Sequence, residues 1–249
     1  MKPSHAALIT ACAWAWACNA TETGNPVAEH RLALTARSSS DTVALGSAAP
    51  GAGLSVDEAW VVIGDIRFVQ SADCDSGPEQ QADVPGPQVL ELIAQPAPIA
   101  FAVDEAAYCR VRVPLDRAEA LDGAVPAELD DHAILIRGTR AADGVAFVLR
   151  SRQTREADIR SRDEPFTLER TSADLILAFD VGRWLEGVEI ESASTGADGV
   201  VRIDDDSQRD RLDVFEENVE AAMELFRDDD GDGRLDAVES DTPLASGAP

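Results

Sequence analysis

Only three histidines, His5, His30 and His132, occur in 249 residues, too few to build a histidine-rich zinc site or a conventional acid–base triad. His132 stands beside Asp130 and Asp131 in a predicted solvated turn, and no Ser or Cys nucleophile motif accompanies it. No glycine-rich phosphate loop or dinucleotide fingerprint is present. The 47 acids would allow a glycosidase-type carboxylate pair, but no motif marks one. The chain therefore reads as a non-enzyme.

Basic residues are also in short supply. Twenty-one Lys and Arg face 47 Asp and Glu, for a net charge of −26, which excludes nucleic acid as a partner. Such a surface is repelled by anionic lipid head groups, so membrane attachment depends on an anchor and not on the fold. Aromatics make up 5% of the chain, and two of the four Trp lie within the first 17 residues. Trp60, Trp184 and Tyr108 remain, with Trp60 on the apolar side of its strand, which is poor material for a glycan-stacking platform.

Long apolar runs are missing too. The one near the start, residues 6–17, follows Lys2 and is too short to span a bilayer, as in a secretory signal peptide covering residues 1–17. This segment resembles the signals of bacterial lipoproteins, which implies lipid attachment at a cysteine. Cys12 has the better local context, following Ile9, Thr10 and Ala11. Cys18 gives the signal its proper length, and its use leaves two cysteines, Cys74 and Cys109, for the folded domain. Lipidation at Cys18 is the favoured reading, with Cys12 or plain secretion as alternatives.

Residues 18–29 read as a polar, turn-prone tether broken at Asn25-Pro26. The TETGNP run in it is similar to segments of uncharacterised Gram-negative bacterial lipoproteins. With Asn19 after the cysteine instead of Asp, this resemblance implies the outer membrane or cell surface. In that oxidising setting Cys74 and Cys109 are expected to pair, with buried free thiols as the alternative.

Residues 30–206 follow mostly a period of two. Trp60, Val62, Gly64, Ile66 and Phe68 alternate with Val61, Ile63, Asp65 and Arg67. Similar short runs at 31–36, 89–93, 99–103, 109–115, 134–139, 145–151, 166–169, 175–179 and 200–203 are separated by Gly, Pro and Asp signals. Residues 141–144 (AADG) make a hairpin turn. The spacing, with no βαβ rhythm, predicts a mainly β chain: an antiparallel β-sandwich followed by a C-terminal α-helix. That helix is predicted from Leu212, Phe215, Val219, Ala222, Met223 and Phe226, with Ser207 and Asp210 as a capping box.

Immediately afterwards, residues 228–239 (DDDGDGRLDAVE) place oxygen-bearing side chains at calcium-loop spacing: Asp228, Asp230, Asp232, Asp236 and Glu239, with Gly233 at the sharp turn. The loop resembles that of the EF-hand family. The resemblance implies a Ca²⁺ ligand set of Asp228, Asp230, Asp232, the Arg234 carbonyl, Asp236 and a bidentate Glu239, with Leu235 as the apolar anchor. Pro243 allows only about one exiting helical turn, and no second loop is apparent. Residues 207–241 thus form a helix plus calcium loop, and residues 242–249 a disordered tail.

The resulting expectation is a calcium-binding, lipid-anchored cell-envelope protein without enzymatic activity. The alternative is a carbohydrate- or protein-binding adhesin or scaffold, with a glycan or envelope protein as partner and calcium purely structural.

Overall fold

The computed structural model describes residues 26–46, 53–70, 74, 80–119, 125–161 and 164–247. The expected signal peptide, Cys12, Cys18 and most of the tether lie outside these residues. The strands are β1 Val27–Arg37, β2 Val43–Leu45, β3 Leu54–Ile63, β4 Ile66–Gln70, β5 Gln80–Val84, β6 Gln88–Glu91, β7 Ile99–Asp104 and β8 Ala106–Pro114. They continue as β9 Ile134–Arg140, β10 Ala146–Ser151, β11 Glu156–Arg160, β12 Phe166–Leu168 and β13 Asp174–Asp180. A one-turn helix, α1 (Val181–Trp184), precedes β14 (Val201–Ile203), α2 (Arg209–Ala221), β15 (Met223–Asp228) and β16 (Ala245–Gly247).

The chain is mainly β, as its alternation predicts, and its strands form two sheets. The larger runs β5-β4-β8-β11-β16-β15-β13-β1-β7, with β12 also on β8. Its end strands β5 and β7 approach each other, so it nearly closes. The smaller runs β14-β10-β9-β3-β2, with β6 also on β3. Most pairs are antiparallel, but β1–β13, β10–β14 and β2–β3 are parallel, so the sheets are mixed.

One core joins both sheets, from Leu32, Leu34 and Val111 in the larger to Val56, Val61 and Ile136 in the smaller. Helix α2 adds Leu212, Phe215 and Val219 to it. Trp184 is buried there between Phe179 and Phe215, at ring distances of 5.8 and 6.1 Å.

Several boundaries differ from expectation. The alternating run 60–68 is two strands: β3 ends at Ile63 in the smaller sheet, and β4 begins at Ile66 in the larger. The tether is shorter than expected, because β1 starts at Val27 and pairs with β7 from its first residue. The tail is not disordered throughout, since residues 245–247 form β16 between β11 and β15.

The C-terminal helix ends at Ala221, and residues 223–228 are strand, paired along their whole length with β13. Met223 and Leu225 then face the main core while Phe226 faces outward, so the expected single stripe is divided between two layers. The expected capping box is absent: Gln208 is the N-cap, in left-handed backbone with no side-chain cap bond. Its amide group instead binds Arg202 O at 2.7 Å and both backbone groups of Ser194 at 3.3 Å.

Cys74 and Cys109 form a disulfide. His132 is buried rather than solvated, its Nδ1 lying 2.6 Å from the Asp130 carbonyl. No helix among the described residues is long and apolar enough to cross a membrane.

Candidate calcium site

The loop 228–239 starts at Asp228, the last residue of β15, which still pairs with Asp174 of β13, and leaves the sheet from there. Gly231 and Gly233 have φ of +75° and +73°, left-handed values that glycine adopts without the Cβ penalty other residues meet. These two residues let the chain double back. Leu235, the expected anchor, packs on Ala33, Ile176, Ala178 and Phe226, an apolar patch on the outer face of the larger sheet. The loop is therefore a cover as well as a connection.

Asp228, Asp230 and Asp232 each turn a carboxylate oxygen to a common point, these atoms lying within 4.8 Å of one another. Among the described residues they are the one set of three or more potential metal-ligating side chains so arranged. Asp236 and Glu239 do not join that set. Glu239 is 7% exposed and ties the loop's two ends together, accepting the Asp229 N–H at 2.8 Å and the Asp236 N–H at 3.1 Å. Asp236 accepts the N–H groups of Val238 and Glu239, at 2.7 and 2.9 Å.

Backbone amides also hold the central carboxylates. Asp228 accepts Gly231 and Gly233 at 2.9 and 3.0 Å, Asp230 accepts Asp232 at 3.0 Å, and Asp232 accepts Arg234 at 2.7 Å. The Arg234 side chain is exposed. A carboxylate has about four lone-pair sites, so one or two amide bonds leave acceptor capacity for a cation. The residues present thus fit a hard, oxygen-seeking ion.

The site's electrostatics favour a positive charge. Asp228 is 4% exposed, and burial pushes its carboxyl above the ordinary range; the Gly233 and Gly231 amides oppose this, while the nearby charges of Asp230 and Asp174 reinforce it. Asp174 opposes Asp228 across the β13–β15 pair and is held by Arg31. The Arg31 guanidinium also approaches the Gly231 carbonyl, at 3.5 Å. Sequence reasoning missed Arg31 and Asp174, which lie 143 residues apart and meet at the site only through the parallel β1–β13 pairing.

Among the described residues, the aromatics do not make a platform. Trp184 and Tyr108 are buried, with the Tyr108 hydroxyl donating to the Asp104 carbonyl at 2.8 Å. Trp60 is half-buried against the patch formed by Val62, Ala118, Leu129 and Leu135, and its Nε1 donates to Glu58 at 3.1 Å. No protein-family model, no curated protein and no solved structure matches this chain.

Proposed function

We propose that this protein is a calcium-binding, lipid-anchored protein of the cell envelope with a structural, non-enzymatic role. The observation that carries the reading is the convergence of Asp228, Asp230 and Asp232 in a loop that covers an apolar patch of the larger sheet. These three carboxylates would hold Ca²⁺, with Asp236, Glu239 and the Arg234 carbonyl as the further ligands that the EF-hand resemblance implies. Bound calcium supplies positive charge that offsets the repulsion among these carboxylates and stabilises the loop. Leu235 then stays seated on Ala33, Ile176, Ala178 and Phe226.

A structural role is favoured over sensing by the elements flanking the loop. Strand β15 leads in, fixed by six residue pairs with β13, and a single 3₁₀ turn, Glu239–Asp241, leads out. EF-hand sensors respond by changing the angle between two helices, and neither flank here is such a helix. Cys18 would carry the lipid, with residues 19–26 joining it to β1, at the outer membrane or cell surface. The carbohydrate-binding alternative has less support, since Trp184 and Tyr108 are buried and Trp60 is half-buried.

The test is a calorimetric calcium titration of residues 19–249, with thermal melts in excess calcium and in chelator. One site per chain and a higher melting temperature in calcium are expected. Absence of both heat and shift would overturn the calcium reading. For the anchor, detergent-phase partitioning that survives Cys18→Ser would overturn lipidation at that residue.

A further inference from the structure

Strand β1 is staggered between its neighbours. Residues 32–37 pair with β13, an interior strand of the larger sheet, whereas residues 27–31 have only β7, the last strand, beside them. Among the described residues, the other edge of 27–31 is held by side chains. The Arg31 N–H donates to the Asp174 carboxylate at 2.8 Å, and Arg170 Nη2 donates to the Val27 carbonyl at 3.3 Å. Arg170 is 70% exposed at the side chain, so its hold competes with water. Residues 27–31 can therefore leave β7 while β1 stays on β13 from Leu32 onward.

The inner face of this segment carries a titratable group. His30 lies on the same side of β1 as Leu32 and Leu34, is 3% exposed, and tilts against Phe101 with ring centroids 6.1 Å apart. Its Nε2 is buried with no hydrogen-bond partner. A neutral imidazole can leave that nitrogen as an unused acceptor. In an imidazolium both ring nitrogens donate, and Nε2 would become a charged donor with no acceptor in an apolar setting.

The surrounding groups do not supply the missing acceptor. Asp174 of β13 attracts a proton to His30, but its carboxylate is engaged by the Arg31 N–H, Nε and Nη2. Arg227 of β15 repels one, and β7 presents the uncharged Phe101. Glu29 and Arg31, the neighbours in β1, are exposed on the opposite face. Burial is the largest influence and holds the imidazole below its ordinary pKa.

We propose that His30 is an acid-operated release for the start of β1. In place, the ring resists a solvent proton; once residues 27–31 leave β7, it meets water and accepts one freely. The ring of the open form titrates near the ordinary value of about 6.5, so the attached form is fully favoured above that pH and loses ground as pH falls through it. At pH 5.5 the open form gains about tenfold. Release frees five residues, about 16 Å of extended chain, ahead of Leu32. It also takes Arg31 off Asp174 and away from the Gly231 carbonyl. The release depends on neither bound calcium nor a lipid.

Amide-resolved hydrogen exchange of the full chain, in chelator at pH 7.5 and 5.5, reads this opening once corrected for the intrinsic pH dependence of exchange. Residues 28–31 should be less protected than 32–36 at both pH values, and their protection should fall about tenfold at the lower pH. His30→Phe should remove that fall, with His30→Leu as the second variant should phenylalanine prevent folding. Equal protection of 28–31 and 32–36 in the unsubstituted protein at pH 5.5 would mean that β1 opens as a whole, which overturns the proposal without any variant. Protection of 28–31 that does not fall with pH, or a fall that persists in a folded His30 variant, would overturn it as well.

Discussion

Arg31 on β1 holds Asp174 on β13 through its backbone N–H at 2.8 Å, its Nε at 2.6 Å and its Nη2, 2.6 Å from Oδ2, and the same guanidinium approaches the Gly231 carbonyl. The pair is half in solvent, with Arg31 55% and Asp174 20% exposed at the side chain, so its direct contribution is small. Arg31→Ala should lower stability by about 0.5–1 kcal/mol in urea melts. It should also enlarge the stabilisation by calcium, because Asp174 would stand uncompensated near Asp228. A calcium effect of unchanged size would show that Arg31 does not act on the loop.

The two kinds of loop carboxylate should respond differently to substitution. Asp228→Asn removes charge from the converging set and should weaken calcium binding by about tenfold or more, read by calorimetry. Glu239→Gln should weaken calcium binding and, in addition, lower the melting temperature in chelator. The second effect follows because Glu239 accepts the Asp229 and Asp236 amides. An unchanged apo melt would mean that Glu239 does not close the loop.

Leu235 covers the patch of Ala33, Ile176, Ala178 and Phe226. Leu235→Ala should cost about 1–2 kcal/mol, below the range for a fully buried leucine since this one is partly exposed. Leu235→Asp should cost more and raise the binding of a hydrophobic dye. Dye binding equal to that of the unsubstituted protein would show that the patch stays covered without the anchor.

Both described histidines should make the protein acid-sensitive. Burial lowers the pKa of His30, with Asp174 opposing and Arg227 adding to the effect; burial likewise lowers that of His132, opposed by the Asp130 carbonyl and reinforced by Arg150 and Arg152. A histidine with a depressed folded pKa takes up its proton more readily when unfolded. Stability is therefore full above the unfolded value of about 6.5 and falls as pH drops below it. Urea melts at pH 7.5, 6.5 and 5.5 should show that fall. His30→Phe should flatten part of it, and an unaltered pH profile would show that His30 contributes none of it.

The Cys74–Cys109 bond closes a separation of 35 residues. In the chain-entropy model, losing it through Cys74→Ser should cost about 3–4 kcal/mol, measurable as a lower urea midpoint. A variant as stable as the parent would mean that the reduced chain is already constrained.

How much of this was legible in the sequence depends on the range of the interaction that decides each element. Alternation in 134–139 and 145–151, joined by AADG, locates the β9–β10 hairpin because its pairing partner is adjacent in the chain. The loop's Asp spacing was equally legible, since its amide-to-carboxylate bonds all lie within the segment. Residues 223–228 were not. Met223 and Phe226 extend the helical spacing of α2, while Met223 and Leu225 alternate as a strand, and six residues are too few to separate the two periods. Pairing with β13, some fifty residues earlier, selects strand.

By itself the sequence determined the mainly β character, the strong negative charge, the cysteines available to pair and the order of acids and glycines in residues 228–239. Those follow from composition and from contacts between near neighbours in the chain. Tertiary structure alone decided what Leu235 covers, that Arg31 and Asp174 flank the site, and that residues 245–247 fill the gap between β11 and β15. Each of these depends on long-range strand register, where a shift of one residue moves a side chain to the opposite face.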